Sequence, residues 1–275
     1  MINYVNNSFD KVLKPCDAQQ FMTLTQSEQT EKLILGHRAG EKNSKAKLPA
    51  LTYMGVLDEA KYKEYLKKCE AQGTKPLGSR RAEFMRPTGL LMLDFDHVGD
   101  PKALYEQLVT KMNVMPLCDD VILSDAKDPA ESPANSHCEI LHSVQNDKKR
   151  WELALAHITP SGQGLRLVLQ REKGKSIEQE QYEFCKAMDV KCDDVCKDIS
   201  RLSFAPMQKE VLYYNPSLLF GELPDAKDYP DGSLFGTPSP YGYSPCPGES
   251  ADDNVERIHS LSLRLFAKVA PSAFS

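Results

Sequence analysis

The chain has 275 residues, 41% of them hydrophobic and 27% charged, with a net charge of −5 at neutral pH. That length allows one large domain or two small ones, and the composition is that of an ordinary globular protein. The charge excludes a bulk electrostatic pull toward nucleic acid, although a local basic patch is compatible with it. No stretch approaches the roughly 18–20 apolar residues of a membrane span.

The start, "MINYVNNSFDKVLK", lacks the basic and apolar regions of a secretory signal, so a cytoplasmic location is expected. The first 40 residues read as a strand followed by a polar helical stretch. "SKAKLPALTYMG" (44–55) runs from basic residues through a Pro49 turn into a strand. "DEAKYKEYLKKCEAQG" (58–73) is a charged helix with Gly73 past its end. "LLMLDFDHV" (90–98) puts Asp94 and Asp96 at the end of an apolar run that has the look of a buried strand. On a strand, positions i and i+2 share a face, so the two carboxylates would repel each other and cost several kcal/mol each to desolvate without a cation between them. His97 would point to the opposite face. Asp100 and Pro101 then read as the cap and first position of a helix over 99–116.

Residues 119–150 carry Pro129 and Pro133 and show no sustained period. A structureless connection of that length is unusual inside a compact domain. It resembles translated interspersed repeats and is expected to be a disordered surface insertion, the alternative being a hairpin around Val121–Leu123 and Ile140–Val144. "WELALAHITPSGQGLRLVLQREKG" (151–174) reads as strand, glycine turn, strand. "SIEQEQYEFCKAM" (176–188) is a helix with a Ser176/Gln179 capping box. Residues 216–251, rich in Pro, Gly, Ser and Tyr, read as a linker, and 252–275 as a C-terminal helix. The eight cysteines are scattered, and thiols are expected in a reducing compartment. Cys185, Cys192 and Cys196 could offer thiolates to zinc, but a fourth ligand at sensible spacing is missing.

Three stretches carry possible chemistry. Asp94 and Asp96 are hard oxygen donors suited to Mg²⁺ or Mn²⁺. In "TPSGQGLRLVL" (159–169), Gly162 and Gly164 let backbone N–H groups approach an anion, Ser161 adds a hydroxyl, and Arg166 can fork onto a phosphate. The loop lacks the lysine of a P-loop, and its glycines precede a strand, unlike a dinucleotide-binding fingerprint. A plain hairpin turn uses the same residues. In "CDDVCKDISRLSF" (192–204), Asp193, Asp194 and Asp198 offer carboxylates, and Lys197 and Arg201 offer cations. Mixed charges of this kind also occur on an ordinary solvated surface.

Taken in order, these stretches resemble the catalytic series of the archaeo-eukaryotic primase (primase-polymerase) superfamily, and more closely the VirE N-terminal domain family. The matching segments are Leu48 to Gly55, preceded by Lys45 and Lys47, then Gly89 to Asp96, Thr159 to Arg166, and Asp193 to Arg201. The resemblance covers roughly residues 40–210. It implies an α+β fold over residues 1–215, with a mainly antiparallel sheet packed by helices and the motifs converging at one end. It further implies that Asp94, Asp96 and Asp193 hold the metal ions, with Asp194 as the alternative third acid. Ser161, Gly162, Gly164, Arg166, Arg201 and, more weakly, Lys197 would hold nucleotide phosphates.

The implied activity is metal-dependent nucleotidyl transfer, with nucleoside triphosphates and single-stranded DNA or RNA as partners, in replication of a mobile or phage-like element. Arg166 stands where many relatives carry a histidine, and arginine cannot act as a neutral donor. Two alternatives follow: a non-catalytic nucleic-acid-binding module that loads a helicase, and an inactive remnant damaged by the insertion.

Overall fold

Four strands rich in apolar residues build the central sheet of the computed structural model. The structure describes residues 2–112, 151–193 and 197–230, all within the unit Met1–Leu234. The expected insertion at 119–150, Asp194, residues 231–251 of the expected linker and the expected helix at 252–275 lie outside the described residues.

The chain opens with β1 (Ile2–Val5) and β2 (Lys14–Cys16), followed by α1 (Ala18–Gln26) and α2 (Glu28–Arg38). Asp17 caps α1 by accepting from the Gln20 N–H at 2.7 Å. Next come β3 (Ala50–Thr52), β4 (Gly55–Leu57) and α3 (Glu59–Gln72). Asp58 caps the start of α3, and Gly73 ends it at φ 63°, a left-handed position that glycine takes without steric cost. Two strands follow, β5 (Met85–Pro87) and β6 (Leu90–Phe95), then α4 (Pro101–Met112), whose start Asp100 caps. After 150 come β7 (Leu153–Ile158), β8 (Leu165–Gln170) and α5 (Ile177–Met188), the last opened by the Ser176/Gln179 capping box. The described chain closes with β9 (Ser203–Phe204), β10 (Val211–Tyr214) and α6 (Pro216–Leu219).

The fold is α+β. The central sheet has the order β10-β7-β8-β6 and a second four-stranded sheet the order β2-β1-β3-β9, while β4 and β5 form a separate pair. All their pairings are antiparallel. Every residue of β6 and β7 is buried, so both faces of the central sheet are covered. One face takes α5, where the Gln181 amide donates to the Met92 carbonyl at 3.3 Å and Phe184 meets Trp151 edge-on. The other meets the second sheet. Leu93 and Leu167 lie paired in the core with no exposed surface, and truncating either to alanine would cost about 2–5 kcal/mol.

Residues 216–230 depart from the expected linker. Asn215 caps α6, Leu219 and Tyr229 are buried, and the Gly174 N–H donates to the Asp228 carbonyl at 2.8 Å. Proline and glycine there shape a packed return of the chain, because aromatic and leucine side chains between them find core surface to cover.

Candidate active site

The register of the central sheet sets the site. Asp94 on β6 pairs with Arg166 on β8, and Arg166 pairs with His157 on β7. Residues directly opposite in neighbouring strands share a face, so the three side chains form one row across the sheet. That row faces the second sheet. Arg166 ion-pairs with the Asp94 carboxylate through Nη2 and donates from Nη1 to the Ser203 hydroxyl on β9 at 2.6 Å. Asp94 is 3% exposed and Arg166 7%, so this is a buried, hydrogen-bonded charge pair that bridges the two sheets.

Two further buried polar groups share this layer. His157 has no exposed surface, and its Nδ1 lies 3.0 Å from the Ile158 carbonyl. Burial, reinforced by the Arg166 charge, pushes the imidazole down to about 3. It is therefore neutral at ordinary pH. Tyr53, just after β3, is also fully buried; burial pushes its phenol up, and the Arg166 charge opposes that rise. His157 Nε2 and Arg166 Nε make no hydrogen bond among the described residues.

The acid pair departs from its expected geometry. β6 stops at Phe95, opposite Leu165 where β8 begins, so no ladder extends to Asp96. Asp96 is exposed in the turn that follows, and His97 sits at φ 55° in a left-handed conformation rather than on a strand. The chain bends there onto the glycine turn, where the Val98 N–H donates to the Gln163 carbonyl at 2.8 Å. The strand alternation used to place His97 opposite the acids therefore does not reach it.

The 159–164 turn is a tight hairpin. The Thr159 N–H donates to the Gly164 carbonyl and the Gly162 N–H to the Thr159 carbonyl, both at 2.8 Å. Gly162 has φ 76°, and a Cβ on Gly164 would stand 2.6 Å from Thr159 Oγ1 and 2.9 Å from the Phe95 carbonyl. Both glycines are thus required by the backbone itself. The Gly162 amide is spent inside the turn. The exposed Ser161 hydroxyl, 3.1 Å from Thr159 Oγ1 and accepting from the Gln163 N–H at 3.3 Å, is an accessible polar group of the loop, as is the exposed Gln163.

Arg38 at the end of α2 clamps this turn. Its Nε donates to the Pro160 carbonyl at 2.9 Å and its Nη2 to Glu210 at 2.7 Å. A Cβ on Gly162 would lie 3.2 Å from the guanidinium. Burial pushes the Glu210 carboxyl above its ordinary range, against the pull of Arg38. No local motif marks Arg38, which is 121 residues from Thr159. His157 and Tyr53 lie beside or within the quoted motifs, and only their burial separates them from ordinary strand residues.

The third motif meets the first through the backbone. The N–H of Asp193, itself half-buried, donates to the Asp94 carbonyl at 2.8 Å. Arg201 is half-buried in a turn closed by its N–H to the Asp198 carbonyl at 2.9 Å. Lys197 is exposed and lies 3.5 Å from Glu178 at the start of α5. The hydrogen bonds and ion pairs of the described residues join neither Lys197 nor Arg201 to the glycine turn.

Asp94, Asp96 and Asp193 fit a hard divalent cation in kind, as carboxylate oxygen donors. Among the described residues, no three His, Cys, Asp or Glu side chains are already gathered into a metal site. Asp94 is held by Arg166 instead. No protein-family model, curated protein or solved structure matches this chain.

Proposed function

We propose that the domain is a nucleotidyltransferase of the primase-polymerase type, acting with nucleoside triphosphates on single-stranded DNA or RNA during replication of a mobile or phage-like element. The observation that supports this is the meeting of three motifs far apart in sequence. Main-chain hydrogen bonds tie the segment around Asp94 to the glycine turn through Val98 and Gln163, and to Asp193 directly. A plain hairpin and a solvated charged surface would have no reason to converge on one strand end.

In this reading Asp94, Asp96 and Asp193 hold Mg²⁺ or Mn²⁺. Such ions, when bound, offset phosphate charge and lower the pKa of an attacking hydroxyl. The chain's own residues do the rest. Ser161 offers its hydroxyl to phosphate oxygen, and Gly162 and Gly164 keep the turn low enough for the phosphate to approach. Arg38 fixes the turn from behind. Arg166 neutralises Asp94 until a cation is present and then carries charge toward the phosphates, with Arg201 and Lys197 at the rim.

The Arg166–Asp94 pair also favours a second reading. With a guanidinium already on the first acid, the domain would bind nucleic acid without transferring nucleotides and would serve a helicase partner. One experiment separates the two. Primer synthesis on single-stranded DNA is measured with labelled nucleotides and Mn²⁺ or Mg²⁺, for wild type and for the Asp94→Ala/Asp96→Ala variant, alongside binding of the same DNA by fluorescence anisotropy. Products from wild type alone support transfer. Binding without products from either protein leaves the binding module, and neither binding nor products sinks both.

A further inference from the structure

The end of α5 brings two thiols together. Cys185 lies in the last turn of the helix and Cys192 lies beyond its end. Asp189 ends the helix in a left-handed conformation at φ 54°, and the Val190 N–H donates back to the Cys185 carbonyl at 3.0 Å. That reversal is a helix C-terminal cap, and it folds the following residues against the final turn. As a result Cys185 Sγ and Cys192 Sγ stand 2.7 Å apart, well inside the contact distance of two non-bonded sulfurs. The next residue is Asp193, whose N–H is bonded to the Asp94 carbonyl. The pair therefore sits at the base of the segment that carries the third acid.

We propose that Cys185 and Cys192 form an oxidisable pair that closes into an intrachain disulfide on exposure to peroxide. Cys185 is half-buried and accessible, whereas Cys192 is 8% exposed. The order of steps follows from this. The Cys185 thiolate attacks one peroxide oxygen, the O–O bond breaks, and the first water leaves, giving a sulfenic acid. The Cys192 thiolate then attacks that sulfur, the S–S bond forms, and the sulfenic oxygen leaves as a second water. Two thiols lose two electrons and two protons, and one peroxide becomes two waters. A dithiol reductant reverses the step by exchange. Cys16 is the internal control, since burial pushes its thiol up to about 12 and keeps it protonated.

The inference needs neither nucleotide nor activity, so it stands apart from the proposed function. Reduced full-length protein is treated with hydrogen peroxide, remaining thiols are alkylated, and the chain is digested with trypsin without reductant. Lysines at 175, 186, 191 and 197 place the two cysteines in separate peptides, 176–186 and 192–197. The expected product joins these peptides, two hydrogens lighter than their sum, and dithiothreitol abolishes it. It is lost in Cys185→Ser and in Cys192→Ser and is retained in Cys196→Ser. Alkylation of both cysteines after peroxide in protein with its far-UV spectrum intact overturns the proposal. So does a link that disappears in Cys196→Ser while that variant remains folded.

Discussion

Two arginines near the ends of one strand are both buried against carboxylates, yet their surroundings differ. Arg166 and Arg171 are five residues apart on β8 and its extension, so alternation sends them to opposite faces. Arg171 faces α5. Its Nε donates to Glu180 at 2.6 Å, its Nη2 to the Lys175 carbonyl at 2.6 Å, and its guanidinium lies 5.0 Å from the Tyr229 ring. Glu180 also accepts from the Glu172 N–H at 2.6 Å. Arg166 faces the second sheet, and its layer contains His157, whose Nε2 has no hydrogen-bond partner among the described residues. The first pair is held by a helix carboxylate, a loop carbonyl and an aromatic ring. The second joins two sheets beside the strand end where the Asp193 segment meets Asp94. The comparison teaches that burial and charge pairing alone do not separate the two; what stands beside each pair does, a helix and a ring at Arg171, a second sheet and the glycine turn at Arg166.

The largest effect expected is at the Arg171–Glu180 pair. Arg171→Ala leaves Glu180 charged and buried, and should lower unfolding free energy by about 3–5 kcal/mol, read from urea denaturation. Arg171→Met/Glu180→Leu should recover much of that loss. Arg166→Met should cost about 2–4 kcal/mol for the same reason, but here millimolar Mn²⁺ should return part of it by replacing the guanidinium on Asp94. A thermal shift with Mn²⁺ in Arg166→Met and none in Arg171→Ala would sharpen the contrast. Equal shifts, or none in either variant, would break it and make both arginines structural.

The third test uses pH. Folded His157 titrates near 3, well below the 6.5 of an unfolded imidazole. Between those values the unfolded chain binds a proton that the folded chain refuses. Stability is therefore complete above about 6.5 and falls as pH drops, by up to about 1.4 kcal/mol per pH unit. His157→Gln should remove that part of the slope in paired denaturation curves, and an unchanged slope would mean that another group carries it. The smallest effects belong to the turn. Gly164→Ala meets Thr159 and the Phe95 carbonyl and should cost about 1–3 kcal/mol. Gly162→Ala adds a left-handed alanine against a movable guanidinium and should cost about 1 kcal/mol. A reversed order would show that the turn relaxes as a unit.

Much of the fold was legible. The Asp100 and Ser176 caps, Gly73 past its helix, and the 151–174 hairpin are local signals, each written in a few adjacent residues, and all form as read. The candidate site was legible only in part. Asp94, Asp193 and the glycine turn do converge. The placement of Asp96 and His97 was not legible, because a strand's end is set by where its partner begins, and β8 begins at Leu165. Proline and glycine counts misread 216–230, since composition does not register that Leu219 and Tyr229 have a core to cover.

By itself the sequence determined most of the longer elements, the Asp100 and Ser176 caps and the order of the motif residues, because helix and strand periods and turn chemistry act over a few positions. It also supplied Gly162 and Gly164 where the backbone needs them. Only the tertiary structure decided which charges would meet. Arg38 reaches Pro160, Arg166 bridges Asp94 and Ser203, and Cys185 approaches Cys192, because sheet register and chain reversal bring these groups within hydrogen-bonding or contact distance. The charged contacts among them gain their strength from the low-dielectric space between packed layers, which does not exist until the layers are built.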